Sequence, residues 1–202
     1  MIAIVDYGMG NVASVRNALA LLGAEGVVTS IPEDFERATH IIFPGVGAFS
    51  DGMREVQERG LVPVLEGEVL EKKKPFLGIC LGMQLLAGEG EEGGRTKGLG
   101  WIDGVVRKVR IDEAKFRLPH IGWDDITPVD GCPLFSGIES RDYYFVHSYV
   151  LEPVQQEVVA ARVNYGETFV AAVHKGNIFG VQFHPEKSQK GGLSVLRNFI
   201  NL

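Results

Sequence analysis

Hydrophobic positions along this chain fall into two patterns. In the first half, short unbroken apolar runs alternate with stretches of helical period. Ile2 to Val5 is the first run, broken by Gly8 and Gly10. Val12, Val15, Leu19 and Leu22 then recur at helical spacing, with Asn11 positioned as N-cap and Gly23 as the stop. Val27 to Thr29 is a second run, followed by Pro32 and a short helix that opens on acids around Phe35. His40-Ile41-Ile42-Phe43 is the third, ending at Pro44. Helices from about Asp51 and from about Val62 to Lys73 precede the fourth run, Pro75 to Ile79. That run leads directly into the helical pattern of Leu81, Leu85 and Leu86. Unbroken apolar strands separated by helices predict a parallel sheet covered on both faces, and such sheets place ligands at the carboxyl ends of their strands.

The second half predicts more strands and fewer helices. Ile102 to Ile111 and His120 to Ile126 are strands, the first alternating in character, and Tyr143 to Leu151 reads as a third. Val158 to Val163, Phe169 to His174 and Ile178 to His184 follow closely, with turns at Gly166 and at Gly176-Asn177, which predicts antiparallel hairpins. A last helix, Gly192 to Ile200, carries Leu193, Leu196 and Ile200 on one face. The glycine-rich, charged stretch from Gly88 to Gly100 is too short to separate domains. The expectation is one α/β domain over residues 1–202, with a mixed sheet.

Composition narrows the function classes. The 202 residues are 45% apolar and 23% charged, an ordinary globular balance. A net charge of −6, with no basic run longer than Lys72-Lys73-Lys74, argues against binding to a nucleic-acid backbone. No apolar stretch reaches the ~20 residues of a membrane span, and the N-terminus lacks a basic leader. Two cysteines, Cys80 and Cys132, are too few for a secreted disulfide scaffold, so the expected setting is the reducing cytoplasm.

The chemistry concentrates at Gly78-Ile79-Cys80-Leu81-Gly82. A buried strand delivers Cys80 into a tight turn from which a helix starts at once, the form of a nucleophile elbow with sulfur in place of oxygen. Glycines two residues to either side leave room for the turn, and the helix start favours the thiolate. Taken alone, a cysteine is more often a small core residue. His184 supplies a base: it shares a strand face with Gln182, and Pro185 holds it extended so that Glu186 can orient its ring. Oxyanion donors are expected from the backbone N–H of Leu81 and from the glycine turn Pro44-Gly45-Val46-Gly47. Cys132 shows no base nearby in sequence, and the spacing of His40, His120, His147 and His174 suggests no metal site.

Gly78 to Gln84, together with His184-Pro185-Glu186, resembles the triad (class I) glutamine amidotransferases. Four further segments are similar to those of the glutaminase subunits of imidazole glycerol phosphate synthases: Asp6 to Asn11, Pro44 to Phe49, His120 to Trp123 and Tyr144 to Tyr149. The resemblance runs from the first strand to the last helix. It implies a three-layer fold, its central sheet mostly parallel with an antiparallel extension in the second half. It implies that Cys80 attacks the carboxamide of glutamine, that His184 acts as acid and base, and that Glu186 orients it. Leu81 and Val46 or Gly47 would hold the oxyanion, and Gln84, Ser148 and Tyr149 the substrate. In this family the Val46–Gly47 turn can need reorientation before activity appears. No cofactor is implied. The implied partner is a (βα)₈-barrel cyclase subunit that receives ammonia and makes imidazole glycerol phosphate and an aminoimidazole carboxamide ribotide, with Asn11, Trp123, Tyr144 and Lys187 at the contact. The alternatives are a cysteine peptidase of related fold, a glutaminase serving another pathway, and a silent binding module.

Overall fold

A computed structural model describes every residue from Met1 to Leu202. The unbroken apolar runs become strands β1 (Ile2–Val5), β2 (Gly26–Thr29), β3 (His40–Gly45) and β4 (Phe76–Cys80), with helices α1 (Val12–Leu21), α2 (Pro32–Arg37), α3 (Phe49–Glu58), α4 (Leu61–Glu66) and the single turn α5 (Leu81–Gln84) between and after them. Past α5 come the short strands β5 (Ala87–Gly90) and β6 (Thr96–Lys97), then β7 (Ile102–Lys108), β8 (His120–Pro128), β9 (Asp142–His147) and β10 (Tyr149–Pro153). The chain closes with β11 (Val159–Tyr165), β12 (Glu167–Lys175), β13 (Ile178–Val181) and helix α6 (Gln189–Ile200).

Nine strands form one sheet in the order β2-β1-β3-β4-β13-β12-β11-β8-β9. From β2 to β13 neighbours are parallel, and from β13 to β9 they are antiparallel. The inner parallel strands are buried on both faces, as continuous apolar runs require, while β2 at the sheet edge is half-buried. Ile2 and Ile4 enter one hydrophobic cluster, with Leu19, Phe145 and Phe199, while Ala3 and Val5 enter the other, with Phe35, Phe43 and Phe49.

Four expectations need correction. Strand β3 does not stop at Pro44 but runs through it to Gly45. Ile41 donates its N–H to Pro75, so even-numbered β3 positions face β1, whose pairing ends at Ile42; Pro44 has no partner strand there to miss its N–H. Residues Tyr143 to Leu151 are two strands, not one. The chain bends at Ser148, so β9 pairs with β8 in the large sheet while β10 joins a second sheet, β10-β7-β5-β6. This second sheet includes β5 and β6 from the glycine-rich stretch, where no apolar pattern marks a strand: β5 exists because it pairs in parallel with β7. Finally, β13 ends at Val181, three residues short of His184.

Candidate active site

Strand β4 ends on Cys80 at φ +54° and ψ −111°, left-handed backbone that a side chain rarely adopts. Such strain costs roughly 1–3 kcal/mol and persists because the surroundings enforce it. The enforcing contacts are glycine contacts. A Cβ on Gly82 would stand 1.7 Å from the carbonyl oxygen of Phe43, and one on Gly78 would stand 2.6 Å from that of Gly82. The elbow folds so tightly that both positions are closed to any side chain. The helix after it is one turn, because β5 draws the backbone into the second sheet by Ala87.

His184 reaches the same spot from the far end of the chain. Its backbone is extended at φ −99° and ψ 96°, as Pro185 dictates, but β9 holds it rather than β13: its N–H donates to the Tyr144 carbonyl at 2.9 Å. Ser188 secures this link, its Oγ donating to the His184 carbonyl at 2.6 Å and accepting the Tyr144 N–H at 2.9 Å. The ring is 1% exposed, and its Nδ1 lies 2.8 Å from Glu186 Oε1, whose carboxylate is fully buried. Burial opposes a charge on His184, but the neighbouring Cys80 and Glu186 outweigh it and raise its proton affinity well above that of an ordinary imidazole. Nε2 carries no closed hydrogen bond, although the Cys80 thiol is near enough to act on the ring. The far nitrogen is therefore oriented by a carboxylate, while the near one is open toward sulfur.

Around Cys80 opens a cavity of about 580 Å³, lined by Val46, Gly47, Leu81, Gln84, His147 and Ser148 among others. It lies at the carboxyl ends of β3 and β4. The predicted oxyanion turn borders it, but the Val46 N–H is engaged, donating to the Met9 carbonyl at 3.2 Å. Gly47 follows at φ +104°, backbone that glycine adopts without strain and other residues rarely do. Gln84 donates to the Tyr149 carbonyl at 2.8 Å and to Gln182 Oε1 at 3.1 Å. The Ser148 carbonyl accepts the Val109 N–H, so both carbonyls at that bend are spent within the protein.

Two residues of the site carried no predicted role. Gln182 is wholly buried and extends its Nε2 to 3.6 Å from Cys80 Sγ. Its signal was visible: a lone amide between Val181 and Phe183, on the face shared with His184. Glu92 lines the cavity and accepts the Phe49 N–H at 2.8 Å, capping α3 beside the oxyanion turn. Nothing in its glycine-rich surroundings marked it. Cys132 lies outside the cavity and unpaired, with burial pushing its thiol up, as for an inert core cysteine.

The four predicted contact residues meet on the surface behind His184. Asn11 stands at the N-cap position of α1, its carbonyl accepting the Val15 N–H at 3.2 Å, but its side chain makes no cap bond; its amide instead donates to Glu186 Oε1 at 3.4 Å. Trp123 and Tyr144 pair across β8 and β9 with ring centroids 6.0 Å apart, and the Lys187 ammonium lies 5.8 Å from the Tyr144 ring centre. Trp123 is 40% exposed and its strand neighbour Ile121 59%, so this is an apolar surface rather than core.

The glutamine amidotransferase class-I family model matches residues 3–202. Imidazole glycerol phosphate synthase subunit HisH 2 of Pseudomonas aeruginosa is 47% identical over the whole of both chains. The HisH subunit of Moorella thermoacetica is 47% identical over all of this chain and 94% of its own. Among solved structures, Thermotoga maritima PurLQS is similar at a TM-score of 0.75 with 19% identity, covering 99% of this chain and 97% of that one. A crystal structure of a glutamine amidotransferase is similar at a TM-score of 0.74 with 21% identity, over 100% and 98% of the two chains. At these identities the solved structures speak to the fold.

Proposed function

This chain belongs to the class-I glutamine amidotransferase family, and from that premise we propose that it is the glutaminase subunit of an imidazole glycerol phosphate synthase, acting in histidine biosynthesis. We take its 202 residues as one amidotransferase domain. The observation that carries the reading is Cys80, strained at φ +54°, with an imidazole beside it that a buried carboxylate orients.

In this mechanism the Cys80 sulfur adds to the carboxamide carbon of glutamine. Oxygen takes the charge and is held by the N–H of Leu81 and by the Val46–Gly47 turn. His184 gives its proton to the departing nitrogen, so that ammonia leaves and a glutamyl thioester remains. The now neutral imidazole takes a proton from water, hydroxide adds to the thioester, and glutamate departs as sulfur is restored. Glu186 keeps the ring in register throughout. Gln84, with the backbone at Ser148 and Tyr149, positions the substrate, and Glu92 offers a carboxylate to its ammonium group.

Because the Met9 carbonyl occupies the Val46 N–H, the resting turn lacks that donor. Glutaminase activity is accordingly weak until the turn rotates, and the partner supplies the trigger. Ammonia in neutral water is mostly protonated and no longer nucleophilic, so it must pass directly to an acceptor. That acceptor site belongs to a (βα)₈-barrel cyclase subunit, docked on Asn11, Trp123, Tyr144 and Lys187, where a phosphoribulosyl-formimino carboxamide nucleotide becomes imidazole glycerol phosphate and an aminoimidazole carboxamide ribotide. The lyase step is the partner's. No helix is long and apolar enough to cross a membrane, and both cysteines are free, which supports a cytoplasmic setting. The test is glutamine hydrolysis with and without the barrel subunit and its nucleotide. Marked activation supports the proposal, and equal rates count against it.

A further inference from the structure

A polar chain whose outer members, Asp124, His120 and His147, the mechanism leaves unused runs beneath the cavity. Asp124 Oδ2 lies 2.5 Å from His120 Nε2, His120 Nδ1 lies 3.1 Å from His147 Nε2, and His147 Nδ1 lies 3.0 Å from the Tyr149 carbonyl oxygen. That carbonyl also accepts Gln84, Gln84 bonds Gln182, and Gln182 reaches Cys80 Sγ. One end is thus the side chain of Asp124, 34% exposed and next in sequence to Trp123, and the other end is the nucleophile.

The protons of this chain can be counted. The Tyr149 carbonyl only accepts, so His147 Nδ1 carries a proton. An ionised Asp124 only accepts, so His120 Nε2 carries one too. A neutral imidazole has a single N–H. Two neutral rings would therefore turn bare lone pairs on each other across 3.1 Å, in a site where both histidines are buried. One further proton between them turns that repulsion into a hydrogen bond. Burial lowers the proton affinity of both rings, most severely at His147, where the neighbouring His120 and His184 lower it further. Asp124 works the other way at His120 without restoring the ordinary value, so the extra proton rests on the contact geometry. The aromatic surroundings agree with a charge on His120. The Tyr165 ring from β11 stacks on it with centroids 3.9 Å apart and planes 17° apart, and the Phe145 ring from β9 at 5.0 Å and 18°, and ring faces attract cations.

We propose that His120 and His147 together hold one proton more than two neutral imidazoles, balanced by Asp124, and that this unbroken hydrogen-bonded chain positions the Tyr149 carbonyl and Gln84 for glutamine binding. The proton count rests on geometry alone; its consequence for glutamine rests on the glutaminase reading above.

The test joins two measurements on the full chain with its barrel partner at pH 7. Ring-nitrogen NMR counts three N–H protons on the two imidazoles in the wild type. Asp124→Asn lowers the count to two, because the new amide donates to His120 Nε2 and each ring passes its single proton toward Tyr149. Asp124→Ala removes both the countercharge and the hydrogen-bond partner of His120 Nε2. It raises KM for glutamine about fivefold, the scale of one weakened hydrogen bond, with kcat within about twofold, while Asp124→Asn keeps the wild-type KM. Two protons in the wild type, or an unchanged KM in Asp124→Ala, overturns the proposal. The wild-type count needs no variant to fold. Cys80→Ala, which keeps three protons but loses glutamine hydrolysis, separates failure of the relay from failure of the glutaminase reading.

Discussion

Gly82→Ala is the sharpest probe of the elbow. The added methyl carbon would meet the Phe43 carbonyl oxygen at 1.7 Å, and Phe43 lies in β3, sealed between β1 and β4 with its ring wholly buried. Real Cβ contacts do not fall below 3.0 Å, so α5 must withdraw by about 1.3 Å. Leu81 and Cys80 sit on the hinge of that movement. A misplacement of this order costs roughly a hundredfold in rate, and overpacking of a core costs about 1–3 kcal/mol in stability. Glutamine hydrolysis by the complex should fall by about two orders of magnitude, and thermal unfolding should shift down by several degrees. Gly67→Ala is the matched control. Gly67 is helical at φ −58° with open space at its Cβ, so the change should be neutral or stabilising by up to about 1 kcal/mol. If Gly82→Ala kept kcat/KM within about twofold of wild type, the close-packing account of the elbow would be wrong.

Three further outcomes follow from the same geometry. Cys80→Ala should abolish glutamine hydrolysis yet leave synthesis from added ammonium intact in the complex, and loss of both activities would place Cys80 outside the proposed role. Because folded His184 holds its proton more tightly than an unfolded imidazole, its coupling to Cys80 and Glu186 adds stability that is complete below about 6.5 and lost as pH rises through about 10. Glu186→Gln should therefore unfold earlier than wild type near neutral pH, by about 1.5–3 kcal/mol. The two melting curves should converge above pH 10, and parallel curves across that range contradict the assignment. Trp123→Ala should weaken association with the barrel subunit by about 2–4 kcal/mol in a titration while leaving Cys80 as reactive toward iodoacetamide as before. Unchanged binding would remove Trp123 from the contact surface.

Much was legible in one dimension because its cause is local. Unbroken apolar runs mark strands buried on both faces, so β1, β3 and β4 stood out, and the spacing of Gly78, Cys80 and Gly82 marked an elbow whose backbone tolerates no Cβ at either flank. His184, Pro185 and Glu186 could be read together because Pro185 holds His184 extended, but the expected strand alignment does not bring Glu186 to the ring: Pro185–Lys187 is a 3₁₀ turn that starts at His184. What the chain in one dimension leaves open depends on partners distant along it. Whether Tyr143 to Leu151 is one strand or two is decided by which sheet lies beside each half, and β5 owes its existence to β7. The engagement of the Val46 N–H by Met9, Glu92 beside the cavity, and two histidines 27 positions apart facing each other at 3.1 Å are products of packing. Residue order thus settled which groups have the chemistry and where the backbone must turn, since those follow from neighbouring side chains; long-range burial alone decided which hydrogen-bonding groups are already occupied and which are left for a substrate.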